Sequence, residues 1–131
     1  MTTSLRRRAP LLALVCFTPL AASASTACEH LLRQFGFAVR AFTSAEEFLA
    51  SDCLGLTGCL ILDIAMPGMT GPDLQRELTR RRQEIPIVFV TAHVDDMVRP
   101  KLIEQGAVEC LFKPFSESAL LGAVTAAFQK N

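Results

Sequence analysis

The chain has 131 residues, which is the size of one ordinary domain and leaves no room for a second core of similar size. Half of the residues are hydrophobic and a fifth are charged, a balance that excludes a disordered chain and predicts a globular fold. Thirteen Lys and Arg residues balance thirteen Asp and Glu residues, so we expect no direct binding to a nucleic-acid backbone.

The first predicted elements lie before residue 37. Residues 11–18 form an apolar run that predicts a strand, and the pattern of residues 25–34 predicts a helix. The same region can also be interpreted as an export signal, with a basic run at residues 6–8, an apolar stretch at residues 11–20 and the cleavage pattern Ala22-Ser23-Ala24. Export would remove the first strand, so we also consider divergence, a frameshift or a misassigned start.

From residue 37 onward, short apolar runs alternate with amphipathic stretches, a rhythm typical of strand–helix units in a parallel sheet. The predicted strands are residues 37–42, 59–62, 86–90 and 108–112. Together with the first pair, the pattern predicts five strand–helix units in a single domain. We find no internal repeat and no linker that would indicate a domain boundary.

The intervening helices are predicted from residues typical of helix starts and helix ends. Ser44 and Glu47 form a capping box that begins a short helix. Gly71-Pro72 opens a second helix that runs to residues 80–82, and a third near residues 96–105 stops at Gly106. Ser116 caps the last helix. Its predicted inward-facing residues are Leu120, Leu121, Val124 and Phe128.

The five cysteines are odd in number and include no C-x-x-C pair, so they indicate neither a zinc site nor a disulfide framework. Cys59 and Cys110 lie within apolar runs, where a free cysteine behaves as a small buried hydrophobic residue. We therefore predict that both are reduced and buried.

Polar side chains end three consecutive predicted strands: Asp63, Thr91 and Lys113. Ligands of open parallel sheets bind outside the carboxyl ends of the strands, so these side chains are expected to converge at one edge. A carboxylate can attack a phosphoryl group, while an ammonium and a hydroxyl can hold its oxygens. Each residue alone has an ordinary structural interpretation; the three together predict phosphoryl transfer.

The segment LILDIAMPGMTG at residues 60–71 resembles the phosphorylation segment of response-regulator receiver domains. Thr91-Ala92 and Lys113-Pro114-Phe115 resemble two further signatures of that family. The resemblance covers about residues 29–129 and is closest to receivers that precede a helix-turn-helix output domain. It implies a flavodoxin-like, doubly wound α/β fold, with a five-stranded parallel sheet in the order 2-1-3-4-5 and helices on both faces.

The resemblance also implies a function and a site. A sensor histidine kinase would pass a phosphoryl group to Asp63 with Mg²⁺ as cofactor, and Thr91 and Lys113 would contact the phosphoryl oxygens. Ala65 would offer its backbone carbonyl to the metal, and the side chains of Ala65 and His93 would tune the lifetime of the phosphoryl group. The chain would then be a cytoplasmic phosphoprotein in a phosphorelay, neither an enzyme nor a membrane protein, with export as the alternative.

One feature of the family is missing. Receivers carry two adjacent acidic residues at the end of the first strand, and counting back from Gly36 puts that pair near Pro19-Leu20. No Asp or Glu precedes Glu29, so we expect Asp63 and the Ala65 carbonyl to hold Mg²⁺ weakly. Residues 1–28 are thus an atypical part of a single domain that spans residues 1–131.

Two alternative functions follow from this departure and from the chemistry of Asp63. A degenerate receiver would act as an interaction module without phosphorylation. An aspartate-nucleophile phosphatase would need a second aspartate two residues after the first, where this chain has Ala65. His30, on the first predicted helix, has no expected role, and Cys110 occupies the position of the family's switch aromatic.

Overall fold

A computed structural model of the chain describes residues 11–15, 29–64, 68–91, 97–113 and 115–129. Its strands are β1 (Leu11–Val15), β2 (Ala38–Phe42), β3 (Thr57–Asp63), β4 (Ile87–Thr91) and β5 (Glu109–Phe112). They alternate with helices along the chain, as the hydrophobic pattern predicts.

The helices include α1, whose described part is residues 29–34. The others are α2 (Ala45–Ala50), the short 3-10 helix η1 (Leu54–Leu56), α3 (Gly71–Arg80), α4 (Val98–Glu104) and α5 (Glu117–Gln129). None of these described helices combines the length and the apolar character needed to cross a membrane.

All neighbouring strands are parallel, and their order in the sheet is β2-β1-β3-β4-β5. This confirms the predicted order. β1 lies in the interior of the sheet, where Val15 pairs with Phe42 on one side and with Leu62 on the other. The atypical segment therefore supplies the strand next to β3.

Two hydrophobic clusters cover the two faces of the sheet, because successive side chains of a strand point to opposite faces. One cluster joins Leu60 and Leu62 of β3 to Phe48 of α2 and Leu74 of α3. The other joins Cys59 and Ile61 of β3 to residues of α1 and α5: Leu32, Leu120 and Val124. Helices therefore pack on both faces, as predicted.

Several predicted boundaries shift by one or two residues. β3 begins at Thr57 instead of residue 59, since Thr57 and Gly58 are also enclosed by the neighbouring elements. In α5, Leu120 and Val124 are buried, whereas Leu121 is only partly buried. Phe128 is also partly buried and stacks on Phe37 with ring centroids 5.3 Å apart.

The reduced, buried cysteines predicted from the sequence are found at the described positions. Cys59 is fully buried and Cys110 is nearly so, and both are free thiols. Burial raises the pKa of the Cys59 thiol to about 12, because the low-polarity surroundings disfavour a thiolate. Cys59 therefore remains an uncharged core residue at neutral pH.

The turn after α3 contains a backbone conformation that no sequence pattern indicated. Arg82 has φ 61°, in the left-handed region, and Gln83 N–H donates to the Leu78 carbonyl at 2.9 Å to close the helix end. A residue with a Cβ is sterically strained in that conformation, whereas glycine adopts it freely.

We expect Arg82→Gly to raise the free energy of unfolding by about 0.5–1 kcal/mol, because the relieved strain exceeds the extra chain entropy of glycine. Arg81→Gly is the comparison: Arg81 has φ −84° and pairs with Glu77 at 2.7 Å, so its replacement should lower the free energy of unfolding. Urea titrations of both variants measure the difference. An Arg82→Gly variant no more stable than the parent would show that position 82 is not strained.

Candidate functional site

Asp63 is the last residue of β3 and marks the carboxyl edge of the sheet. It pairs with Val90 of β4, and the following residue, Ile64, donates its N–H to the Val90 carbonyl at 3.1 Å. Only 7% of Asp63 is exposed. The strand thus holds this carboxyl group at a fixed place with a narrow opening to solvent.

Lys113 reaches Asp63 from the end of β5. Its N–H donates to the Thr91 carbonyl at 2.8 Å, which ties its backbone to the end of β4. Its ammonium Nζ lies 3.5 Å from Asp63 Oδ2, and the two side chains are 27% and 9% exposed. The structure therefore brings the predicted cation to the predicted carboxylate.

Thr91 lies between these two residues, at the last position of the central strand of the three. It pairs with Phe112 of β5 and is 2% exposed. The carboxyl ends of β3, β4 and β5 therefore meet at one edge, as the sequence predicts for Asp63, Thr91 and Lys113.

The two ends of the loop from β3 to α3 lie next to each other beside Asp63. Gly71 N–H donates to the Ile64 carbonyl at 3.1 Å, and a Cβ at position 71 would lie 2.8 Å from the Asp63 carbonyl oxygen. Thr70 and Asp73 form a capping box that fixes the start of α3 just after this contact. The sequence carries this T-x-x-D signal, which begins one residue before Gly71-Pro72, the pair that predicts the helix start.

A contact that sequence patterns did not predict holds the same loop from α2. Met69 N–H donates to Glu46 Oε2 at 3.2 Å. In the sequence, an acidic residue in the first turn of a helix indicates only a favourable interaction with the helix dipole. The neighbouring Glu47 accepts a hydrogen bond from Thr43 N–H at 2.7 Å. The predicted capping box would instead use the N–H of Ser44, one residue later.

Several predicted site residues lie outside the described residues: Ala65, His93, Pro114, Pro19 and Leu20. Their assigned roles remain predictions. His30 is exposed on α1, and its ring Nε2 lies 3.3 Å from Gln34 Nε2. Among the described residues, no hydrogen bond joins His30 to the edge that carries Asp63.

The described residues do not fit the usual magnesium site. Mg²⁺ requires oxygen ligands in near-octahedral geometry. Among the residues that the structure describes, no group of three or more His, Cys, Asp or Glu side chains is placed to hold a metal ion. Asp63 has the Lys113 ammonium close by, and the sequence supplies no carboxylate before Glu29. A second carboxylate from β1 is therefore excluded by composition alone.

Comparisons with known proteins identify the family. A family model described as the response regulator receiver domain matches residues 21–125 of the chain. The chain belongs to the response-regulator receiver family. The match begins after β1, so β1 belongs to the atypical segment and lies outside the part of the chain that the family model matches.

The curated relatives of this receiver include a protein named as a response regulator. The chain is 44% identical over 103 residues to the response regulator protein TodT of Pseudomonas putida, covering 79% of this chain and 45% of the relative. It is 43% identical over 102 residues to nodulation protein W of Bradyrhizobium diazoefficiens, covering 78% and 45%. The chain thus spans less than half the length of these relatives.

Solved structures share the fold. The structure of the response regulator StyR matches with a TM-score of 0.80 and 40% identity, over 94% of this chain and 61% of that one. FixJ-N matches with a TM-score of 0.78 and 28% identity, over 92% and 95%. The receiver fold is therefore established, and phosphorylation-based signalling is the function that fits it.

Proposed function

We propose that Asp63 of this receiver accepts a phosphoryl group from a sensor histidine kinase and that Thr91 and Lys113 hold the transferred oxygens. The observation that carries the proposal is the 3.5 Å approach of the Lys113 ammonium to a carboxylate that is almost closed to solvent at a strand end. In this role the chain is a kinase substrate and not an enzyme.

The groups at this edge and the incoming donor account for the bonds that form and break. A carboxylate oxygen of Asp63 attacks phosphorus, the bond from phosphorus to the donor's nitrogen breaks, and the leaving group keeps that electron pair. The Lys113 ammonium then lies beside the added negative charge, and the Thr91 hydroxyl can donate a hydrogen bond to a phosphoryl oxygen. No step is assigned to Mg²⁺, whose expected ligands are Asp63 and the Ala65 carbonyl.

We further propose that the switch acts in the cytoplasm on a partner or output domain that binds nucleic acid, while the receiver itself does not. One relative, 36% identical over 110 residues, is named transcriptional regulatory protein TdiR, of Thauera aromatica. That comparison supports a transcriptional output. None of the comparisons favours the alternative of a phosphorylation-independent module, so we do not propose it.

Acetyl phosphate provides the direct test. Incubation of the chain with acetyl phosphate and Mg²⁺ should add the mass of one phosphoryl group, at low yield because the acidic pair is absent. Asp63→Asn should remove the added mass, whereas Asp52→Asn, at an exposed position between α2 and η1, should retain it. Intact-mass spectrometry measures all three. Equal labelling of the Asp63 variant would refute the assignment of the acceptor.

A further inference from the structure

The backbone immediately after Asp63 is hydrogen-bonded to the start of α3. Asp63 ends β3, and α3 begins at Gly71. The Gly71 N–H to Ile64 carbonyl bond joins the two ends of the loop directly beside Asp63. Through this bond, Gly71 and the residues just before it are tied to Ile64, the residue that follows Asp63.

The far side of the loop is held by the carboxylate of Glu46. Met69 N–H donates to Glu46 Oε2 at 3.2 Å, across 23 residues of sequence. At the preceding residue, a Cβ on Gly68 would lie 3.0 Å from the same oxygen, and Gly68 has φ +76°. A glycine at this position thus gives the loop its turn and leaves room for the carboxylate.

We propose that Glu46 is a positioning residue for phosphoryl transfer to Asp63, acting through its hydrogen bond to Met69. The inference rests on the proposed function. Transfer requires the attacking oxygen to lie in line with the breaking bond, and small displacements of a reacting group lower the rate steeply. Glu46 is exposed and does not belong to either hydrophobic cluster, so its role in the fold itself is small.

The test separates positioning from folding by comparing three variants of the full chain. Glu46→Ala removes the oxygen that accepts the Met69 hydrogen bond, and Glu46→Gln keeps a side-chain carbonyl oxygen at that place. Glu104→Ala removes an exposed carboxylate from the end of α4. Initial labelling rates are measured over a range of acetyl phosphate concentrations. Hydrogen–deuterium exchange of peptides containing residues 68–71 gives a readout that does not depend on phosphorylation.

We expect Glu46→Ala to lower the saturating rate by roughly threefold to tenfold, which is the effect of one hydrogen bond of ordinary strength. The half-saturating acetyl phosphate concentration and the melting temperature should stay near the parent's, exchange at residues 68–71 should rise, and Glu46→Gln should recover most of the rate. Glu104→Ala should behave like the parent.

Three results would contradict the inference, and they can be distinguished. Parental labelling and parental exchange in Glu46→Ala, with no labelling of Asp63→Asn, would refute the positioning role and leave the proposed function standing. Full labelling of Asp63→Asn would instead refute the proposed function. A lowered melting temperature shared by Glu46→Ala and Glu46→Gln, with parallel loss of rate, would show that Glu46 serves stability and also contradict the inference.

Discussion

Gly71→Ala is expected to lower the free energy of unfolding by about 2–3 kcal/mol, the upper part of the range for forcing an extra methyl group into a filled space. The added Cβ would meet the Asp63 carbonyl oxygen at 2.8 Å and the Cα of Ile64 at 3.1 Å, both backbone atoms. It would also lie 3.0 Å from the Phe89 ring, which is fully buried. None of these neighbours can move without disturbing β3 or the core.

The matched control is Gly122→Ala in α5, where the added Cβ would meet no atom within 4 Å beyond its chain neighbours and the backbone of its own helix. Alanine in the interior of a helix is favoured over glycine by about 0.5–1 kcal/mol, so this variant should be slightly more stable than the parent. Denaturant unfolding of both variants gives the two values. A Gly71→Ala variant as stable as the parent would show that α3 does not begin so close to Asp63.

The second large effect concerns the missing acidic pair. Two aspartates placed at the end of the first strand should create a Mg²⁺ site with Asp63 and stabilise the chain only when the metal is present. At a Mg²⁺ concentration ten times the dissociation constant, binding to the folded state alone adds about 1.4 kcal/mol. That gain corresponds to a rise in melting temperature of roughly 5 °C for a chain of this size.

Two pairs of positions are candidates for this repair. The count from Gly36 selects Pro19→Asp with Leu20→Asp. The sheet gives a different count: Val15, the last residue of β1, pairs with Leu62, the residue immediately before Asp63. We therefore expect Cys16→Asp with Phe17→Asp to give the larger Mg²⁺-dependent gain.

Thermal melts with and without Mg²⁺ distinguish the two pairs. Without the metal, each pair should lower the melting temperature relative to the parent, because the new carboxylates repel Asp63. Adding Asp63→Asn to the better pair should abolish the Mg²⁺-dependent gain. If neither pair responds to Mg²⁺, the missing acidic residues are not what separates this chain from a metal-binding receiver.

The element types were predictable because they depend on local patterns. The run at residues 59–62 is almost entirely apolar, as expected for a strand covered on both faces, and β3 indeed has helices on each side. Exact ends were less predictable, since Thr57 and Gly58 join β3 through neighbours that are distant in sequence. The strained turn at Arg82 was unpredictable, because its side chain carries no signal for a left-handed conformation.

The sequence by itself determined the alternating α/β architecture, the family resemblance, the positions of Asp63, Thr91 and Lys113 at strand ends, and the absence of a carboxylate before Glu29. These follow from periodicity, motif and composition. Only the tertiary structure decided which groups touch: the Lys113–Asp63 approach spans 50 residues and the Met69–Glu46 hydrogen bond spans 23. Such contacts depend on how strands align and loops return, and the local preferences of the residues do not encode those distances.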